Sequence, residues 1–407
     1  MRVLMACAAF PPFIDGGGPI SALLLAKMLL AEGHDLRVVN MADTAKHETV
    51  EGIEVHRIRP ANVYWNYRRP RPAWKKLAWH ALENGNPRAY AAMRREIRDF
   101  APDILLTDSI ENINVASWAA ARSLGVPVAH TLRSVFLLCW RGSMQKGSRN
   151  CEGQCATCWV SSLGKKHFSR YVDGVCGETN DVIARHVDRG YFPNALTRQI
   201  PGAIEKIAVD APRAAPANRA LRVGFLGVHT LYKGLDVLGR AALILGDREM
   251  EFHVAGTGTP ADERELRAQF PEHNTRFWGW TDQQTFFPEI DVLVFPSTGR
   301  EAFGRVAVEA FAYAVPVIGS DLGGIAETVE PGRNGLLFAP GDAEALAANL
   351  TRLAESPDLY ARLSCGALES AQTYLRPRIA ALNTAFLEDT LHRHASRTAT
   401  PRDEVAL

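Results

Sequence analysis

Two glutamates eight positions apart, Glu301 and Glu309, lie in the run Glu301-Ala302-Phe303-Gly304-Arg305-Val306-Ala307-Val308-Glu309. A loop carboxylate such as Glu301 can accept hydrogen bonds from sugar hydroxyls. Glu309 follows about two helical turns later and faces the same side, because eight residues is close to a whole number of turns. A solvated loop glutamate and an ordinary helix glutamate would show the same spacing, so the flanking elements decide. A buried-strand pattern, Asp291-Val292-Leu293-Val294-Phe295-Pro296-Ser297, precedes the pair, and Val315-Pro316-Val317-Ile318 follows it. Gly304 opens an apolar helix expected over Val306–Tyr313. A strand-to-helix loop of this kind points free N–H groups and a positive dipole end at whatever lies above the sheet, and a phosphate suits that place.

Four cysteines form a second cluster: Cys139, Cys151, Cys155 and Cys158, spaced C-x11-C-x3-C-x2-C. Four thiolates can hold one tetrahedral Zn²⁺ at about 2.3 Å each, a structural site with no open position. Disulfides and unliganded thiols are the alternatives. Cys7, Cys176 and Cys365 are isolated and read as small buried residues. No Asp-x-Asp stands at a strand end, so no catalytic divalent metal is called for.

These groups need elements to position them. The first strand is expected over Val3–Ala8. A loop with Gly16, Gly17 and Gly18 follows, then a helix from Pro19 to Leu30, proline fitting the first helical position. Later strands read as Leu36–Val39, Ile104–Thr107 and Val126–Ala129, with helical patterns between them. His130 follows the last of these and is expected at the carboxyl edge of the sheet. Alternation of strands and helices implies α/β domains with parallel sheets covered on both faces. A second series begins at Leu221–Leu226.

A length of 407 residues suggests two domains. Residues 1–204 make the first and 220–376 the second. Residues 205–219, rich in Ala and Pro, read as a linker. A helix over 377–394 and a tail over 395–407 complete the chain. Lys plus Arg number 46 against 45 Asp plus Glu, so bulk charge gives no attraction to nucleic acid. No apolar run approaches the ~20 residues of a membrane-spanning helix. The N-terminus reads as a strand and not a signal peptide, so the expected compartment is the cytoplasm, with the inner face of the membrane as a place of contact.

The motifs of residues 220–375 resemble the retaining glycosyltransferases of the GT-B fold, family four. The resemblance includes Val254-Ala255-Gly256-Thr257-Gly258, the E-x7-E run, Pro316-Val317-Ile318-Gly319-Ser320, Gly323-Gly324-Ile325-Ala326-Glu327, Gly332-Arg333-Asn334-Gly335-Leu336-Leu337 and Pro340-Gly341-Asp342. It implies two Rossmann-like domains facing a central cleft. It implies that the second domain binds a nucleoside diphosphate sugar, UDP- or GDP-linked. Lys233, in Gly227-Val228-His229-Thr230-Leu231-Tyr232-Lys233-Gly234, matches the lysine that binds the donor diphosphate, where a fixed cation stabilises the developing negative charge. Glu301 would hold the sugar, Glu309 the ribose, and the amides of Ala302, Phe303 and Gly304 would meet sugar or phosphate. Gly16, Gly17 and Gly18 would close on the diphosphate from the first domain. The family arginine after the loop's first glycine is replaced by Val228, with Arg305, Arg300 or His229 as candidate substitutes. Trp278-Gly279-Trp280 sits where relatives place the base, although both tryptophans also suit a core.

On the acceptor side, the resemblance places His130 near the anomeric carbon, orienting sugar or acceptor. Residues 64–79, Tyr64-Trp65-Asn66-Tyr67-Arg68-Arg69-Pro70-Arg71-Pro72-Ala73-Trp74-Lys75-Lys76-Leu77-Ala78-Trp79, are aromatic and basic, a pattern that suits lipid headgroups. A phosphate-bearing acceptor or a plain surface helix suits it too. The expectation is transfer to a glycan or lipid-linked acceptor in exopolysaccharide or cell-envelope synthesis, with no cofactor for catalysis. A nucleotide-sugar 2-epimerase on the same fold and a non-catalytic sugar-nucleotide-binding partner are the rival readings.

Overall fold

Short apolar runs bounded by glycine turns build two sheets, parallel but for one edge strand of the first, each covered by helices on both faces. The computed structural model describes residues 1–12, 17–64, 72–146, 149–246 and 248–399. Gly16 and residues 65–71 of the aromatic-basic segment lie outside the described residues. Contacts divide the chain into two compact units. One comprises Met1–Met144, Glu152–Pro201 and Pro377–Leu407; the other Gln145–Cys151 and Gly202–Arg376.

The first unit holds β1 (Arg2–Cys7), β2 (Asp35–Met41), β3 (Lys46–Val50), β4 (Ile53–Ile58), β5 (Ile104–Asp108) and β6 (Val128–Leu132). A short hairpin of β7 (Gln145–Lys146) and β8 (Arg149–Asn150) belongs to the second unit, and β9 (Gly174–Gly177) and β10 (Leu196–Gln199) return to the first. Among the described residues the first sheet runs β10-β9-β6-β5-β1-β2-β4-β3, parallel except for β3. β3, Lys-His-Glu-Thr-Val, is a polar edge strand, which discourages further pairing.

The second unit holds β11 (Leu221–Leu226), β12 (Met250–Ala255), β13 (Thr275–Gly279), β14 (Val292–Phe295), β15 (Val317–Ser320) and β16 (Gly335–Phe338), all parallel in the order β13-β12-β11-β14-β15-β16. Two apolar clusters fill this unit. One includes Leu238, Phe252 and Leu350, the other Phe286, Ile290 and Phe311. The strand order reverses between β11 and β14, the place where open α/β sheets bind ligands beyond their carboxyl ends.

The 205–219 segment, expected as a linker, is fixed onto the second unit. Arg213 donates to the carbonyls of Tyr313, Ile290 and Phe287 at 2.8, 2.6 and 2.9 Å, and Arg219 pairs with Asp291 at 2.5 Å. Ala/Pro composition misleads here because the arginines carry the packing. The last helix, Arg376–Ala399, lies with the first unit from Pro377 onward. A Cβ on Gly174 would meet Thr390 Oγ1 at 2.1 Å, so glycine lets the helix approach β9. His394 and Arg397 reach Asp173 at 3.0 and 2.8 Å. The helix therefore runs beyond Ala395, where the tail was expected to begin.

Candidate functional site

Lys233 and Glu301 come together at the switch point of the second sheet. The loop after β11 ends in a 3₁₀ turn, Leu231–Lys233, and the Lys233 N–H donates to the Thr230 hydroxyl at 3.4 Å. Gly234 closes it at φ 69°, and a Cβ there would stand 1.9 Å from the Pro296 carbonyl oxygen. Only glycine allows that approach. The loop after β14 is tied to the same turn: Thr298 and Gly299 donate to the Tyr232 carbonyl at 3.1 and 3.2 Å, and the Tyr232 hydroxyl donates to the Arg300 carbonyl at 2.5 Å. These ties place the Lys233 ammonium 2.8 Å from a Glu301 carboxylate oxygen, which also accepts from Ser297 at 3.1 Å. The Lys233 side chain is 28% exposed and that of Glu301 15%, so a ligand can reach both. A fixed cation beside a carboxylate can take a diphosphate on the first and hydroxyls on the second.

Gly304, at φ 92°, opens the Arg305–Phe311 helix, and a Cβ there would collide with Ile325 at 2.1 Å. Gly324 donates to the Glu301 carbonyl at 2.9 Å, while Phe303 is buried and its carbonyl accepts from Thr328 at 3.2 Å. The backbone of Glu301–Gly304 is thus pinned by the Gly323-Gly324 turn. A Cβ on Gly324 would press on Ala302 at 2.7 Å.

Glu309 is buried and held by Arg305, Nε to Oε1 2.6 Å. Burial raises its carboxyl above the usual range, and Arg305 opposes the rise. His229 is also buried, its ring nitrogen Nε2 unpartnered, and burial lowers its imidazole. It is therefore a poor stand-in for an arginine cation, and Val228 is 55% exposed in the arginine's place. Trp280 is 79% exposed, whereas Trp278 is half-buried under the Arg276 guanidinium, 3.8 Å from its ring centre.

In the first unit, His130 does not stand at the sheet's edge. It is the middle residue of β6, buried between Trp118 and Phe192, whose ring centres lie 5.1 and 5.8 Å away. Its Nδ1 meets the Thr107 hydroxyl at 2.9 Å. Burial lowers its imidazole to about 3, helped by His186, so it is neutral and encased. The strand continues through Thr131 and Leu132, and the first residue beyond it is Arg133. Arg133 donates to Asp108, the last residue of β5, at 2.6 Å and to Glu178, just past β9, at 2.8 Å. Ser134 donates to Glu111 at 2.8 Å. Sequence reading missed this buried group. Its signal was a charged residue at the end of each of three adjacent apolar strands.

The helix Gly17–Ala31 begins at Gly17, two residues before the expected start. A Cβ on Gly17 or Gly18 would meet nothing within 4 Å, so no internal contact requires glycine there.

Of the four clustered cysteines, Cys158 donates to the Cys139 sulfur at 3.6 Å and is hydrogen-bonded to Cys155. Burial and these thiol neighbours push Cys158 up to about 12, so it stays protonated. Cys151 belongs to the second unit. Among the described residues no group of three or more His, Cys, Asp or Glu is arranged to hold a metal ion. The expected zinc site is not preassembled by these side chains, and elemental analysis of the purified protein decides it.

Comparison with known proteins agrees with this architecture. Residues 220–356 match the family described as "Glycosyl transferases group 1", and residues 16–203 match "Glycosyl transferase 4-like domain". A Klebsiella pneumoniae protein named for its place in a cps region is 26% identical over 330 residues, covering 80% of this chain and 87% of its own. Glycogen synthase of Mycobacterium tuberculosis is 27% identical over 88% of this chain and 87% of its own. Among solved structures, sucrose-phosphate synthase from Thermosynechococcus elongatus superposes with a TM-score of 0.72 at 21% identity, covering 96% of this chain and 99% of its own. Anabaena HepE in complex with UDP-glucose gives 0.69 at 17%, covering 96% and 100%. With both halves matched and the Lys233–Glu301 site at the second sheet's switch point, the chain belongs to the GT-B glycosyltransferases of family four.

Proposed function

We propose that the protein is a retaining glycosyltransferase that takes a sugar from a UDP- or GDP-linked donor and passes it to a glycan or lipid-linked acceptor, in exopolysaccharide or cell-envelope synthesis. The observation that carries the reading is the Lys233–Glu301 pair, 2.8 Å apart and reachable from solvent. Across this contact the two charges neutralise each other. A bound diphosphate would draw the ammonium away and free Glu301 for sugar hydroxyls. Lys233 would then stabilise the leaving diphosphate as the glycosyl bond breaks. The UDP-glucose complex of Anabaena HepE supports a nucleotide-sugar donor, and the Klebsiella relative's cps region supports a polysaccharide product. The Ala73–Leu82 helix, with Trp74 and Leu77 exposed beside Lys75 and Lys76, supports a peripheral membrane contact through residues 64–79 and hence a lipid-linked acceptor.

Glu301→Ala tests the reading. Nucleotide release from a panel of UDP- and GDP-sugars should fall by at least ~100-fold with the protein still folded, the order of one lost transition-state contact. Turnover near that of the unaltered protein would remove Glu301 from the sugar site. The exposed Val228 favours, as second reading, a binding partner without turnover. It predicts nucleotide binding with no release from any donor.

A further inference from the structure

The sequence has 45 Asp and Glu among 407 residues, yet residues 61–82 and residues 153–172 contain none. The fold places the second stretch beside the first. At the end of the Ala73–Leu82 helix, Asn84 donates to the Ser161 carbonyl at 2.7 Å and accepts from the Gly164 N–H at 2.9 Å. A Cβ on Gly164 would stand 2.0 Å from the Asn84 carbonyl oxygen, so glycine permits this close seating. His80 makes a separate ring contact at 5.2 Å with Trp140, which lies before the second stretch. Trp79 anchors the first helix inward, against Phe136 at 6.1 Å.

With the inner contacts satisfied, large apolar side chains are left outside. Trp74 is 65% and Leu77 72% exposed on the Ala73–Leu82 helix. Trp159, at 54%, and Val160, at 60%, are exposed on Ala156–Val160, and Leu163 at 46% opens the next helix, Leu163–Ser169. The same segments carry exposed cations: Lys76 on the first helix, Lys166 and Arg170 on and just past the last. Lys165 does not contribute, since it turns inward to the Phe136 carbonyl at 3.0 Å. Tryptophans and leucines interleaved with lysines, without a carboxylate in either stretch, are complementary to an anionic lipid interface.

We infer that the segment Cys155–Arg170 forms, with the Ala73–Leu82 helix, one docking surface for an anionic lipid bilayer. Trp159, Val160 and Leu163 enter the headgroup layer while Lys166 and Arg170 meet lipid phosphates. This extends the membrane contact of the proposed function to a part of the chain far away in sequence, and rests on that contact. It makes the bilayer bind two clamped elements of the first unit instead of one helix.

Flotation of the full-length protein with vesicles tests it, using phosphatidylcholine alone against phosphatidylcholine with about 30 mol% phosphatidylglycerol. The protein should float only with the anionic vesicles, and about 0.5 M salt should release it. Lys166→Glu should weaken binding by at least roughly fivefold, the equivalent of about 1 kcal/mol per surface cation. Trp159→Ser should weaken it too, with residues 64–79 untouched. An unchanged thermal midpoint would show that both variants are folded. Full binding by both variants would overturn the inference and leave the contact to the Ala73–Leu82 helix. No flotation of the unaltered protein would overturn the membrane reading as a whole. A dimer in solution that Trp159→Ser dissociates would assign the surface to a second copy and likewise overturn it. Because the readout is lipid binding, a failed transferase reading, seen as no nucleotide release, remains distinguishable.

Discussion

Replacing Arg133 by methionine should leave two buried carboxylates facing each other without their cation. The Arg133 guanidinium lies 2.6 Å from Asp108 and 2.8 Å from Glu178, with side-chain exposures of 13, 1 and 11%. At an effective dielectric constant near 20, a pair about 4 Å apart is worth about 4 kcal/mol before desolvation. Breaking a buried pair by removing one partner costs about 3–5 kcal/mol, because the remaining charge stays buried. For a unit of this size each kcal/mol moves the midpoint by about 2–4 °C, so the first unit's thermal transition should fall by roughly 6–20 °C at pH 7.5. The loss should shrink on acidification. Burial already holds the Asp108 carboxyl above its usual range, with Arg133 opposing. Removing Arg133 raises it further, so in the variant the neutral acid is favoured in the fold. A carboxyl raised on folding contributes stability below its unfolded value, and that stability is lost as pH rises through the folded value. The gap between variant and parent should therefore narrow by about 1.4 kcal/mol or more by pH 5. Calorimetry at the two pH values reads both effects, and Arg133→Lys, which keeps one charge, should fall between. A shift below ~2 °C at pH 7.5, or one of equal size at pH 5, would refute the reasoning.

Other predictions follow from single contacts. Gly234→Ala puts a Cβ 1.9 Å from the Pro296 carbonyl at φ 69°, and should destabilise the second unit by about 2–4 kcal/mol in denaturant unfolding. His130 and His186 are buried, with imidazoles lowered to about 3 and about 4. A lowered histidine is neutral in the fold but binds a proton when unfolded below pH ~6.5, so stability present above that value is lost on acidification. His130→Asn should flatten the decline of the first unit's midpoint between pH 6.5 and 4.5. Glu83, raised by burial to about 7, works in the opposite sense and should soften the parent's slope. Glu309→Gln removes the charge that holds Arg305 at 2.6 Å, and should weaken nucleotide binding in calorimetric titration while leaving the fold intact.

The sheets were legible because their strands are short apolar runs between glycine turns. Leu221–Leu226 was read with the bounds the structure gives, and the E-x7-E run was placed in its loop and helix. The placement of His130 failed at a strand end. His130 and Thr131 are polar, but both are buried within the strand, so it continues to Leu132 and the edge falls at Arg133, three residues after His130. Ion pairs escaped for a different reason. Lys233 and Glu301 are 68 residues apart, and Arg133 and Asp108 25 apart; which charges meet depends on strand order. The same holds for Arg213, whose three carbonyl partners turn an expected linker into packed chain. The acid-free stretch 153–172 was visible in sequence, but only Asn84 and Gly164 show that it sits beside residues 73–82.

The most direct test of the central claim is calorimetric titration of the purified protein with UDP, GDP and ADP, in parallel with Lys233→Ala. The account predicts one diphosphate bound per chain and at least ~10-fold weaker binding to the variant, as expected for loss of a charge-assisted contact. Equal binding by both proteins, or binding of no nucleotide by the unaltered one, would contradict a donor site built on Lys233 and Glu301.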